Sequence, residues 1–187
     1  GMMWVLSRLR LRIFRTPGIG ERITVTTWPS GVDKLFATRE FILTIGDEQI
    51  AAGSSFWLLL DRARMRPLRV LESLPIPLPD NSGRERVFTD LPKLPRRECS
   101  DPLPLTVTES QIDVNRHMNN ARYIARLFDW LSVRLGAAPV VSEIQANFLM
   151  GTAPESVLTV SGSAENGVWY IEESVDSVPH FQAEVRL

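Results

Sequence analysis

Only one stretch of this chain carries a helical repeat; almost everything else alternates with the period of a strand. Apolar side chains at Ile124, Leu127, Phe128, Leu131 and Leu135 recur every three or four residues, which places a single long helix near residues 120–136. Asn119 and Asn120 stand ahead of it as good N-cap residues. Residues 4–14 alternate apolar and basic side chains, residues 22–28 alternate around Ile23 and Val25, and residues 36–45 and 49–61 are bounded by Gly and Asp turns. Trp28, Pro29, Ser30 and Gly31 are most simply a turn. Short connections make residues 4–72 an antiparallel meander. Repeated prolines from Pro75 to Pro102 then interrupt any ladder, so residues 73–103 are expected to form a linker between units 1–72 and 104–187. After it the pattern restarts with a strand at 104–108, the helix, and strands near 141–150, 155–163, 167–175 and 180–187.

Immediately before the helix, Asp113, Asn115 and His117 occupy alternate positions, and His117 is one of only two histidines. In an extended segment all three side chains leave one face. Extended geometry would also hold Asp113 and His117 about 13 Å apart, so the segment must bend if they cooperate. A helix N-terminus offers unpaired N–H groups and positive potential, which suits an oxygen that becomes negative during acyl transfer. The other reading of the same residues is a turn marked by Asp and Asn, with His117 a satisfied, partly buried side chain. Tyr123 is read as a packing residue one turn into the helix, or as a hydroxyl near the site.

The run Asp113-x-Asn115-x-His117-x-Asn119-Asn120-x-x-Tyr123 resembles the signature of the acyl-acyl-carrier-protein thioesterases. Blocks at residues 4–9, 27–31, 36–39 and 55–61 are similar to that family's N-terminal half, in the same order. The resemblance implies an α+β fold of hotdog units, each an antiparallel sheet wrapped around a long helix. It implies hydrolysis of fatty acyl thioesters of acyl carrier protein, or of coenzyme A. Asp113, Asn115 and His117 would be catalytic, with Asn119, Asn120 and Tyr123 against the substrate. No metal or other cofactor is implied. The family normally carries an opening strand and helix before the position where this chain starts, so the first unit is expected to be an N-terminally shortened, strand-only hotdog and the second a complete one. The apolar sheet face left without its helix predicts a homodimer or larger assembly.

Two positions depart from the family. Aligning residues 144–152 on the family strand that carries a further Glu and Cys puts Gly151 and Thr152 in their places, and Glu143 and Glu155 do not match the Glu position. Arg126 stands where a Trp is usual. Without that Glu, Asp113 or His117 must supply the base, a contribution worth roughly 10²–10⁴ in rate. A non-catalytic acyl-binding or regulatory protein with a degenerate site is therefore the alternative.

A net charge of -1 argues against nucleic acid as a partner, and 44% hydrophobic content suffices for a buried core. The arginines at 8, 10 and 12, and those at 62, 64, 66 and 69, could steer an acidic carrier protein, or simply be solvated or edge-protecting charges. Phe41, Phe56, Trp57, Phe128, Phe148 and Trp169 suit either an acyl tunnel or plain core. The single cysteine fits a reducing compartment, and no run approaches the roughly 20 apolar residues of a membrane span, so the cytoplasm is expected. There is no Gly-x-Ser-x-Gly elbow, zinc spacing or phosphate-cradling loop, and His180, beside Phe181 in a strand-like terminus, is expected to be structural.

Overall fold

The computed structural model describes residues 1–187, which divide into two compact units, Gly1–Pro92 and Lys93–Leu187. The first is strands with almost no helix. β1 (Met2–Ile13), β2 (Thr24–Asp33), β3 (Phe36–Ile45) and β4 (Glu48–Asp61) pair antiparallel in the order β2-β3-β4-β1. A short β5 (Arg66–Pro67) pairs with β4, and α1 (Val70–Ser73) is a single turn. Residues 28–31 are not a turn. They lie inside β2, where a bulge between Pro29 and Gly31 absorbs the proline, while Trp28 is buried beneath the Arg84 guanidinium.

The chain after α1 lies as a strap across one face of this sheet. Phe88 and Leu91 pack on Phe56, and the strap's polar backbone is satisfied by a buried side-chain cluster. The fully buried Glu40 carboxyl accepts from Ser30 Oγ at 2.6 Å, from Ser54 Oγ and from the Val87 N–H at 3.0 Å. Ser54 Oγ in turn accepts from the Phe88 N–H. The first strand's basic residues belong to this layer: Arg8 donates to the Leu91 carbonyl and lies over Phe36, and Arg10 and Arg12 lie over Phe88. Strand alternation put these arginines on one face, where the strap half-covers Arg8 and Arg10 and leaves Arg12 exposed. The opposite face carries Leu9, Leu11, Phe41, Leu43 and Trp57, all half-buried, and the unit has no long helix of its own to cover it.

The second unit is a sheet in the order β7-β10-β9-β8-β6, formed by β6 (Ser100–Thr106), β7 (Glu143–Phe148), β8 (Val157–Glu165), β9 (Val168–Val175) and β10 (Val178–Arg186). β6 starts four residues before the expected strand and stops at Thr106. A 3-10 turn over Glu109–Gln111 then leads toward the motif. α2 (Asn120–Leu135) is capped by Asn119, whose side chain accepts from the Ala121 N–H, and ends at the left-handed Gly136. Its stripe of Tyr123, Arg126, Leu127, Trp130 and Leu131 is buried. Leu127 and Leu131 are fully enclosed, each contributing on the order of 1.5–3 kcal/mol. The helix comes close to β8 at Gly162, where a Cβ would lie 2.8 Å from the Trp130 ring.

A second strap, residues 94–99, crosses the other face of this sheet. Arg96 donates to the buried Glu172, which also accepts from Tyr170 and Gln182, while Arg97 pairs with Glu184. The proline-rich stretch thus has no ladder bonds over most of its length yet is pinned at Asn81, Val87, Phe88, Arg96 and Arg97. Replacing Glu40 by Ala strips the acceptor from two hydroxyls and the Val87 N–H. We expect a loss of roughly 2–4 kcal/mol in urea unfolding, with amide exchange at residues 86–91 rising first; unchanged exchange there would show that the cluster does not hold the strap.

Candidate active site

The motif forms a tight loop at the mouth of α2, so the required bend is present. Ile112 and Met118 pair as an isolated antiparallel bridge, and the Asp113 N–H donates to the His117 carbonyl at 2.9 Å. Within the loop, Asp113 Oδ1 accepts from the Asn115 N–H at 2.8 Å, and the Arg116 N–H donates to the Asp113 carbonyl, with Arg116 at φ +61°. Asp113 therefore works first as the turn's own acceptor. Asp113 is half-buried, whereas Asn115 and His117 are exposed and their side chains make no hydrogen bond within the chain. The three are gathered on one five-residue loop without any hydrogen bond from one of their side chains to another. Asn119 and Asn120 begin the helix, both exposed, and the Asn119 side chain is committed to the cap.

Several contacts fix this loop. The Met118 N–H donates to the Thr152 carbonyl and the Asn119 N–H to the Gln111 carbonyl, both at 2.8 Å. Beneath it, the buried Arg126 donates to the carbonyls of Leu105 and Thr106 and to Gln111 Oε1. The arginine found in place of tryptophan thus ties α2 to the end of β6 and to the approach of the motif. Tyr123 stacks on Phe181 and meets Phe148 edge-on, so it packs as a core residue, and its hydroxyl lies 2.7 Å from Thr152 Oγ1. Gly151 lies directly against His117: a Cβ there would stand 2.9 Å from the ring's Cγ and Cδ2.

Of the expected acyl-lining side chains, Phe56 is core under the first strap, Trp169 meets Trp130 edge-on and Phe148 leans on Phe181. One cavity of about 370 Å³ is lined by Val32, Lys34, Leu35 and residues 69–72. Another of about 480 Å³ is lined by residues 96–99, Ser161, Glu172, Ser174 and Ser177. Neither borders the motif.

Residues 1–77 match the acyl-ACP thioesterase N-terminal domain, and residues 96–178 the acyl-ACP thioesterase C-terminal domain. The chain belongs to the acyl-ACP thioesterase family. It is 26% identical over 137 residues to oleoyl-acyl carrier protein thioesterase 2 of Arabidopsis thaliana, covering 66% of this chain and 37% of that protein. It is 25% identical over 180 residues to palmitoyl-acyl carrier protein thioesterase of Gossypium hirsutum, covering 89% of this chain and 44% of the relative. The chain thus spans less than half the length of these relatives. The crystal structure of an acyl-ACP thioesterase from Bacteroides thetaiotaomicron shares its fold, with a TM-score of 0.77 at 22% identity over 99% of this chain and 76% of that one. The hotdog architecture expected of this family is the one observed, with one unit lacking a long helix and one possessing it.

Three groups close to α2 or the motif had no part in the expected site: Glu173, which the sequence left unassigned, Thr152, noted only at the family Cys position, and His180, expected to be structural. Glu173 falls on the apolar side of β9, in step with Trp169 and Ile171, and that misfit was a readable signal. Its carboxyl is wholly buried and neither oxygen has a hydrogen-bond partner. Burial pushes its pKa well above the usual carboxylate range, and the Arg126 charge only partly offsets this. The fold therefore favours the protonated, neutral form of Glu173. Above about pH 4.3 the unfolded chain releases this proton and the folded chain keeps it, so stability falls as pH rises until the folded group itself ionises. Glu173→Gln removes that dependence. Its melting temperature should exceed the parent's by a margin that widens from pH 5 to pH 8, and a margin constant with pH would disprove the neutral form.

Proposed function

We propose that this chain hydrolyses fatty acyl thioesters, with acyl-ACP as the main substrate and acyl-coenzyme A as a second form. The observation that carries the reading is the Asp113-Asn115-His117 loop, closed by its own backbone and set at the capped start of the long helix in a chain of this family. The His117 side chain, exposed and without a hydrogen bond to the rest of the chain, takes a proton from water. The water oxygen attacks the thioester carbonyl carbon, the C–S bond breaks, and the thiol leaves with a proton. Asp113 holds the loop with one oxygen and orients the water or the imidazole. Asn115 holds the water or carbonyl, and Asn120 in the first turn of α2 faces the developing oxyanion. Asn119 and Tyr123 support the substrate side through the cap and the aromatic stack. The chemistry requires no metal or organic cofactor.

The exposed Arg12, Arg62, Arg64, Arg66 and Arg69 are cations that attract an acidic carrier, while Arg8 and Arg10 are half-covered by the strap. No helix is long and apolar enough to cross a membrane, and the free Cys99 suits a reducing compartment such as the cytoplasm. The first unit's half-buried apolar face supports a homodimer; a single sedimenting species at monomer mass across micromolar concentrations would reject it.

The alternative, acyl binding without turnover, is favoured by Gly151 at the position of the family Glu. A panel of acyl-ACP and acyl-coenzyme A thioesters decides between them. The hydrolytic reading expects turnover that falls about 10²–10⁴-fold in His117→Ala and substantially in Asp113→Ala, without loss of folding. Acyl binding with no release of free thiol would establish the alternative.

A further inference from the structure

His180 is the second of the chain's two histidines, and the proposed chemistry does not use it. It is buried near the start of β10, with Nδ1 2.7 Å from Thr152 Oγ1. Thr152 is fully enclosed, and its hydroxyl is also 2.7 Å from the Tyr123 hydroxyl, which donates to the Met150 carbonyl at 3.3 Å. The protons of this chain can be counted. Tyr123 has one; with it on the Met150 carbonyl, the Tyr123 oxygen accepts from Thr152, although the 2.7 Å contact by itself admits either donor. The Thr152 proton is then spent, so its oxygen must accept from His180. All three contacts are filled only when His180 carries its proton on Nδ1.

The same histidine holds this segment through its backbone. Its carbonyl accepts from the N–H groups of Leu149 and Met150, at 2.8 and 3.2 Å. Residues 149–152 are therefore tied to β10 by His180, to α2 by Tyr123 and to the motif by the Met118 N–H on the Thr152 carbonyl. Gly151, the surface against which the His117 ring lies, is the centre of that segment.

We infer that His180 is a positioning residue of the candidate site: its Nδ1–H starts a one-way hydrogen-bond chain through Thr152 and Tyr123 to the Met150 carbonyl, fixing the segment that backs His117. The 2.7 Å spacing of Thr152 and His180 also matches a nucleophile and its base, but the Thr152 hydroxyl is fully buried, and in the arrangement that fills all three contacts its proton is given to Tyr123 rather than to the imidazole. The pair holds; it does not attack. Burial lowers the pKa of His180, which keeps the ring neutral near pH 7 and makes its tautomer a meaningful property.

The inference takes its catalytic consequence from the thioesterase reading, but its geometry can be tested without any activity. With only two imidazoles in the chain, ring nitrogen and carbon NMR signals of the full protein at fixed pH are assigned by His180→Gln. His180 should appear as the neutral Nδ1–H tautomer. Thr152→Val should shift its Nδ1 signal and also move the His117 ring signals, and Thr152→Ser, which restores the hydroxyl, should return both. In turnover, Thr152→Val should lower kcat about 10- to 100-fold with KM within about twofold, and Thr152→Ser should recover most of the rate. An Nε2–H tautomer, His117 signals indifferent to Thr152→Val, or an unchanged kcat in an active enzyme overturns the inference. If the parent protein hydrolyses no thioester, the thioesterase reading fails while the NMR results still decide the geometry.

Discussion

The buried guanidinium of Arg126 is the contact on which the candidate site depends. A charged group under a helix has lost its water, and it is tolerable only where acceptors converge on it. Here two carbonyls at the end of β6 and the amide oxygen of Gln111 do so, although the Nε–H remains without a partner. These acceptors belong to the residues that lead into the motif, so satisfying the guanidinium fixes the path of the chain before Asp113 is reached. The same cation acts on Glu173, whose pKa is nevertheless raised because desolvation outweighs the attraction. A tryptophan at this position could fill the volume but could offer only one N–H to acceptors that take three bonds from the arginine.

Strand periodicity and the single helical repeat made most of the fold legible. The third strand occupies residues 36–45 as expected, the helix ends within a residue of its expected limit, and both units have their expected strands. Failures came where a local cue competed with tertiary pairing. Pro29 and Gly31 carry turn chemistry, but the sheet accepts them by bulging, because strand pairing on both sides of the bulge outweighs one missing N–H. Proline density correctly predicted the loss of ladder bonds after α1, but could not show that this stretch lies flat on two sheet faces. That outcome depends on buried carboxyls at Glu40 and Glu172, which only the pairing register brings beneath it.

The site was legible as a motif and illegible as a network. The backbone bend needed to gather Asp113, Asn115 and His117 could be demanded from strand geometry, and Asn119 could be recognised as a cap from its type alone. His180 and Thr152 lie 28 residues apart and share no periodicity that would announce their contact. Their meeting depends on an irregularity between Pro179 and Phe181 in the pairing of β10 with β9, a register change that alternation cannot foresee.

Gly151 acquires a physical meaning from this arrangement. A larger residue there would occupy space now taken by the His117 ring, because the first side-chain carbon alone would already be in collision. The His117 orientation and a glycine at 151 are therefore one structural choice, and a carboxylate could be restored there only by turning the imidazole away. The neighbouring threonine completes that choice: its hydroxyl bridges a helix tyrosine and a strand histidine, where a thiol, a weaker hydrogen-bonding group, would bridge them less firmly. Where the family resemblance leads one to expect an acid, this chain presents the backbone of Gly151, and the His117 ring lies against it.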